Sequence, residues 1–377
     1  MKYLITLCFG LILVQGCKST KTTHDTFKPG AIWEDADGNH INAHGGGFYY
    51  EDGTYFWYGE HKDQNSLAQV GVRVYSSKDL YNWTNEGVAL SVSTDANSEI
   101  TTGSVIERPK VVYNKKTDTY VMWFHLELKG QGYNAARTAV AVSDNPLGPF
   151  KFLKSFRPNA GVWPRNSTAS QRVSKPEDQQ LEWWTPEWKK ALLNGLYVRR
   201  DFSKGQMSRD MTVFVDDDGK AYHIHSSEEN QTLHISLLTD DYLDFTDTYV
   251  RVDEGGQNEA PAIFKVDGVY YMITSGLTGW DPNPAKSFKA MSMLGPWEKL
   301  ENPAKGKGAQ VTFKSQSTYV LPVEGIPKAY IFMGDRWNPK NHIDGRYIWL
   351  PISIANGKPE FEWQDEWDLS YFDKATP

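Results

Sequence analysis

Only two cysteines occur in 377 residues, Cys8 and Cys17, and both lie within the first 17 positions, so no disulfide framework can hold the body of the chain together. Cations are also in deficit. Against 47 Asp and Glu stand 40 Lys and Arg, a formal charge of −7, and no basic run is present to neutralise phosphates. This balance argues against a nucleic-acid partner and leaves neutral or acidic ligands open. The opening apolar stretch, MKYLITLCFGLILVQGC, has signal-peptide length and is too short to span a bilayer.

That stretch reads as a secretory signal over residues 1–16. Its Val14-Gln15-Gly16-Cys17 end is similar to a bacterial lipoprotein signal, which implies that Cys17 becomes the lipidated first residue of the mature chain. Removal of Cys8 with the signal leaves no disulfide. Residues 17–30, polar and poor in aromatics, suit a flexible tether, and residues 31–377 remain for a single domain. The expectation is export across the inner membrane and anchoring at a periplasmic or outer-membrane surface. Membrane contact is then through the lipid alone, and a monomer is expected.

What the chain has in abundance is aromatic residues, 14% of the total with 14 Trp and 20 Tyr. Flat rings with a polar handle serve either as platforms for sugar rings or as packing between sheets, and composition does not separate the two. Their placement is more informative. Five times a β-branched or aromatic run, a tight turn and a second such run recur: Gly45–Glu60, Arg108–His125, Arg209–His225, Glu259–Gly276 and Ser317–Gly334. Turns such as Asp52-Gly53, Asp218-Gly219 and Asp267-Gly268 mark each as a hairpin. A weaker pair of runs follows each hairpin. Four strands in five units predict an all-β, five-bladed β-propeller. One long interruption, Lys151 to Ser208, contains a predicted helix near Pro186 to Asn194 and is expected to border a pocket.

A propeller gathers the first strand of every blade around one axis, so residues at blade entrances converge. Those positions hold Asn42 and His44, Glu107, Asp210, Glu259 and Gln316, with Glu60 ending the second strand of the first blade. Glu107, Asp210 and Glu259 thus stand in register on three separate blades. Clustered carboxylates drive their pKa values apart, which suits general acid catalysis and above all glycoside hydrolysis. Such a cluster can also hold a hard cation, so a structural calcium ion stays open although no cofactor or metal is required. The Asp216–Gly219 run DDDG looks metal-like but sits in a hairpin turn.

These segments resemble the five-bladed propeller glycosidases of glycoside hydrolase family 43, over roughly Ile32 to Phe372. EAPAIFKVDGVYYMITSG is similar to the segment carrying the family's general acid, which implies that role for Glu259. RDMTVFVDDDGKAY is similar to the segment carrying the carboxylate that tunes the acid, which implies that role for Asp210. The first blade departs from the family: INAHGGG lacks the Asp that usually serves as general base. Together NAHGGG, WYGEH, ERPKVVYN, EAPA and SQSTYVLP resemble the exo-β-1,3-galactanase branch. That resemblance implies that Gln316 holds the attacking water, with Glu107 as its chemical rival, and that Glu60 and Glu107 bind the terminal sugar.

Further substrate contacts are expected from His44, Thr278, Trp280 and Glu228, with Glu229 beside it. A core role for His44, packing for Trp280 and simple solvation for Glu228 and Glu229 are the competing readings. If the reaction inverts configuration, acid and base should stand roughly 6.5–9.5 Å apart. The reading is therefore an exo-acting glycosidase on plant or algal cell-wall polysaccharide, first of all a galactan 1,3-β-galactosidase. An α-L-arabinofuranosidase, a β-galactofuranosidase or a β-xylosidase is the enzymatic alternative, because pocket loops rather than blade motifs select the sugar. A surface glycan-binding lipoprotein without activity is the alternative from another class.

Overall fold

In the computed structural model, which describes residues 23–173, 175, 181–279 and 281–374, the five repeats are five separate sheets around one axis, a five-bladed β-propeller. The expected signal peptide, residues 1–16, and Cys17 lie outside the described residues. In blade 1 the strands His44–Glu51, Thr54–Glu60, Gly71–Ser77 and Thr84–Ser91 follow one another as an antiparallel meander, and blades 2 to 4 repeat it. Blade 5 departs from the expected four strands: a short strand, Ala304–Lys305, adds in parallel to the outer Lys358–Glu362. The innermost strands are His44–Glu51, Val105–Asn114, Met211–Val215, Glu259–Val266 and Gln316–Pro322, and each touches the next around the ring.

The hairpins form where the sequence places them. Asp52-Gly53 and Asp267-Gly268 have φ of 47° and 77°, and of 50° and 80°. Left-handed φ at both central residues gives a two-residue turn whose twist matches the strands it joins. Between neighbouring blades lie five apolar cores. Many of the aromatic residues are spent here, most heavily between blades 5 and 1, where Trp57, Trp83, Trp349 and Trp367 are buried together with Phe27. Fully burying a ring of this kind contributes about 1.5–3 kcal/mol.

Blades 1 and 5 share no strand. The ring closes instead through a β-bridge in which the Phe27 N–H donates to the Trp367 carbonyl at 2.7 Å and the Trp367 N–H returns the bond at 3.1 Å. The insertion before blade 3 carries helices Pro186–Leu193 and Leu196–Asp201 around a core of its own, Trp188, Leu192, Leu196 and Tyr197. Thr185 caps the first helix by accepting from the Trp188 N–H, with Pro186 at its first position. Among the described residues no helix is long and apolar enough to cross a membrane.

Candidate active site

The entrance residues are equivalent by register as well as by position. His44 pairs with Glu60, Glu107 with His125, Glu259 with Ser275 and Gln316 with Asp335, and an irregularity in the pairing follows each. Asp210 joins the set just before its strand, accepting from the Ser226 N–H at 2.9 Å through its carbonyl. In blades 1, 2 and 4 the next residue is left-handed: Gly45, Arg108 and Ala260 have φ of 60°, 57° and 53°. This bulge turns the entrance side chain off the pleat and toward the axis. For Arg108 and Ala260 it costs of order 1–3 kcal/mol, a strain met where a site imposes its geometry.

Here the ring holds a cavity of about 540 Å³, in the range of small-ligand sites, bordered by Glu107, Arg108, Asp210, Glu259, Gln316 and Trp337 among others. At its centre the Arg108 guanidinium donates to Asp210 at 3.0 Å and to the Gln316 amide oxygen at 2.5 Å. Asp210 also accepts from the Ala260 N–H at 3.0 Å, which ties it to the residue after Glu259. Glu259 accepts from Asn230 at 2.7 Å. Burial, and after it the charge of Asp210, pushes its carboxyl up to about 8. A carboxylic acid still protonated near neutrality can give up a proton.

Glu107 is set the opposite way. Burial works against its charge, yet Lys62 at 3.6 Å, His125 at 3.2 Å and the Tyr133 hydroxyl at 2.8 Å hold it far below the usual carboxylate range. Burial would also discharge His125, but hydrogen bonds to Glu107 and to Glu127 raise it to about 9. Glu60, ion-paired with Lys62 at 2.5 Å, is pushed by burial to about 8, against that ammonium and with Glu107 repelling it. It sits behind the cavity wall at 2% exposure, and a Cβ on Gly45 would come within 2.8 Å of its Oε1.

Glu107, His125 and Asp210 each bring one ligand atom within 4.8 Å of the others. This donor set does not fit calcium. Calcium takes six to eight oxygens, whereas here one donor is a nitrogen and Arg108 and Lys62 already neutralise the carboxylates.

Several expectations need correction. Glu228 does not face the cavity. It is fully buried, with Arg251 on both carboxylate oxygens at 2.7 and 2.8 Å and His234 at 2.9 Å, and its carboxyl is held at about 2 because Arg251 and His234 outweigh burial. Residues 228, 229 and 230 are all left-handed, with φ of 52°, 57° and 59°, so that Asn230 and not Glu228 reaches Glu259. Among the described residues the insertion supplies none of those that border the cavity; Glu229 links the two, ion-paired with Arg200 at 2.8 Å and with Arg209 at 3.8 Å. Gln316 and Glu259 are not spaced for a water between them: the amide nitrogen, which donates to the Ser275 hydroxyl at 2.8 Å, lies only 3.5 Å from the carboxylate.

Other residues hold their places differently. His44 is buried, stacked at 5.4 Å on Trp337, with neither ring nitrogen hydrogen-bonded among the described residues. Thr278 is exposed and organises its loop, receiving the Asn283 side-chain N–H at 2.7 Å, while Gly279 and Asp281 to Asn283 border the cavity. Trp280 lies outside the described residues. Sequence reasoning missed Arg108, His125, Ser275, Asp335 and Trp337. The signal for three of them was available. His125, Ser275 and Asp335 occupy the position that singled out Glu60, the second-strand partner of the entrance residue.

The family model for glycosyl hydrolases family 43 matches residues 182–317. A family-43 β-1,3-galactosidase solved with galactodeoxynojirimycin is 53% identical, over 91% of this chain and 100% of that one, with a TM-score of 0.88. The exo-β-1,3-galactanase of Phanerochaete chrysosporium solved with β-1,3-galactotriose is 34% identical, over 92% of this chain and 68% of that one, at 0.74. That of Clostridium thermocellum is 36% identical, over 90% and 66%, also at 0.74. A search of curated proteins finds no match.

Proposed function

Because the chain belongs to glycoside hydrolase family 43, we propose that it is an exo-acting, inverting galactan 1,3-β-galactosidase that removes terminal galactose from cell-wall polysaccharide. One observation carries the reading: Glu259, kept protonated by burial and by Asp210, faces a cavity in which a second glutamate, Glu107, is held ionised. Glu259 gives its proton to the glycosidic oxygen as the bond to the anomeric carbon breaks. Asp210 holds the Ala260 N–H and Arg108, and so fixes the acid's backbone and its charge environment.

Arg108 orients the Gln316 amide, and Gln316 positions the water that attacks from the opposite face. An entering sugar must first displace that amide from Glu259. Glu107, held ionised against burial by Lys62 and His125, is placed to take sugar hydroxyls and stays the rival for the water's proton, because the Gln316 amide is a far weaker base than a carboxylate and passes a proton only through its imidic tautomer. Export and a lipid on Cys17 belong to the same proposal and rest on the leader pattern. Labelling with palmitate that disappears in Cys17→Ser would support them.

The test is monosaccharide release from β-1,3-galactan, arabinan and xylan by the wild type and Glu259→Gln. Galactose from the galactan alone, with turnover falling by about 10²–10⁴ in the variant, is the expected result. Release of arabinose or xylose would move the assignment to the other sugars of the family. Binding without release would leave a glycan-binding protein.

A further inference from the structure

The insertion holds a second cavity, of about 640 Å³, that the proposed reaction does not use. Trp163, Trp183, Trp188, Tyr197 and Phe202 border it together with four cationic side chains, Arg172 and Arg200 among them. The rings are stacked in pairs: Trp163 on Phe202 at 4.1 Å and 23°, Trp183 on Trp188 at 5.7 Å and 21°. Yet Trp183 is 47% exposed, and its neighbour Trp184 is 61% exposed. Trp184 also has a φ of 70°. A left-handed conformation costs such a residue of order 1–3 kcal/mol, and burial of its ring does not offset the cost. Arg172 donates two N–H groups to Ser167, through Nε and Nη2, and its Nη1 has no protein partner among the described residues.

Exposed indoles beside a cavity take the apolar face of a pyranose ring, and a guanidinium N–H takes its hydroxyls. The two cavities are neighbours. Arg209 borders the axial one and Arg200 the second, and the Glu229 carboxylate holds both, at 3.8 and 2.8 Å. A polysaccharide whose end lies in the axial cavity has the rest of its length to place outside.

We propose that the cavity of the insertion is a carbohydrate-binding site that holds a stretch of the galactan away from the bond being cut. The proposal rests on the galactosidase reading for the identity of the sugar. Its ligand is a pyranoside chain, neutral because the galactan is, and its platform is Trp183 at the cavity with Trp184 beside it. By retaining the polymer between cleavages, it favours long substrates over short ones.

The test is native electrophoresis of the Glu259→Gln protein through gels containing β-1,3-galactan, with and without Trp183→Ala and Trp184→Ala. The double change is expected to weaken retardation, raising the apparent Kd roughly two- to ten-fold. In the active background it should raise KM on the galactan by a similar factor and leave kcat/KM on β-1,3-galactobiose unchanged. The disaccharide fills only the two positions on either side of the bond being cut, and its turnover also shows that the variant is folded. Unchanged retardation overturns the proposal, and so does an equal loss on polymer and disaccharide. Absence of galactose release by the wild type would overturn the galactosidase reading instead, and the electrophoretic comparison would still decide whether this cavity binds the chain.

Discussion

Asp210 and Arg108 act on Glu259 with opposite sign, the first raising its pKa and the second lowering it. The acid works only while protonated, so turnover should be full below about pH 8 and fall as pH rises through that value. Asp210→Asn keeps the burial, removes the like charge and leaves Arg108 in place. The alkaline limb of the kcat profile should then move to lower pH, along with a loss of rate. A limb that stays near 8 would show that burial alone holds the proton. These two acidic positions were legible because carboxylates at blade entrances stand out in a repeat. Arg108 was not, since its role comes from a left-handed backbone that turns it across the axis, which no spacing announces.

At the scale of one element, the turn Glu228–Asn230 shows where alternation of side chains fails as a guide. Three consecutive left-handed residues send the charged side chain into the blade and the amide to the cavity. The buried Glu228–Arg251 pair therefore belongs to stability. Glu228→Ala strands the guanidinium and should cost about 3–5 kcal/mol, read as a lower denaturant midpoint, with KM of the folded fraction unchanged. Its carboxyl titrates at about 2 in the fold and near 4.3 when unfolded, so its contribution is complete above the higher value and lost as pH falls toward the lower. Glu228→Gln should accordingly flatten acid denaturation in that window. Gly345 makes a related point by close approach. A Cβ there would lie 1.8 Å from the His44 ring, so Gly345→Ala should disturb the stack on Trp337 and lower activity along with stability.

For the whole molecule, five repeats with hairpin turns were enough to foresee the propeller, and the aromatic excess could not be divided between packing and binding until the cores between blades were seen. The division follows burial: Trp57, Trp83 and Trp349 are at most 2% exposed, whereas Trp183 and Trp184 on the insertion remain in solvent. The joint between blades 5 and 1 relies on Phe27. Phe27→Ala should cost about 3–5 kcal/mol and lower Tm, whereas an unchanged Tm would mean that Trp367 and its neighbours close the ring without it.

The Phe27–Trp367 joint also separates connectivity from shape. Every blade is continuous in sequence, and among the described residues the first and last are held together by side chains, by this bridge and by the Gly30 N–H on the Tyr347 carbonyl. A circularly permuted chain, with a short peptide joining the residues that flank this bridge and new termini opened in a surface loop of another blade, would keep all five sheets intact. It would turn the one noncovalent clasp of the bracelet into a covalent link, and the catalytic residues would keep their places around the axis while their order along the chain changed.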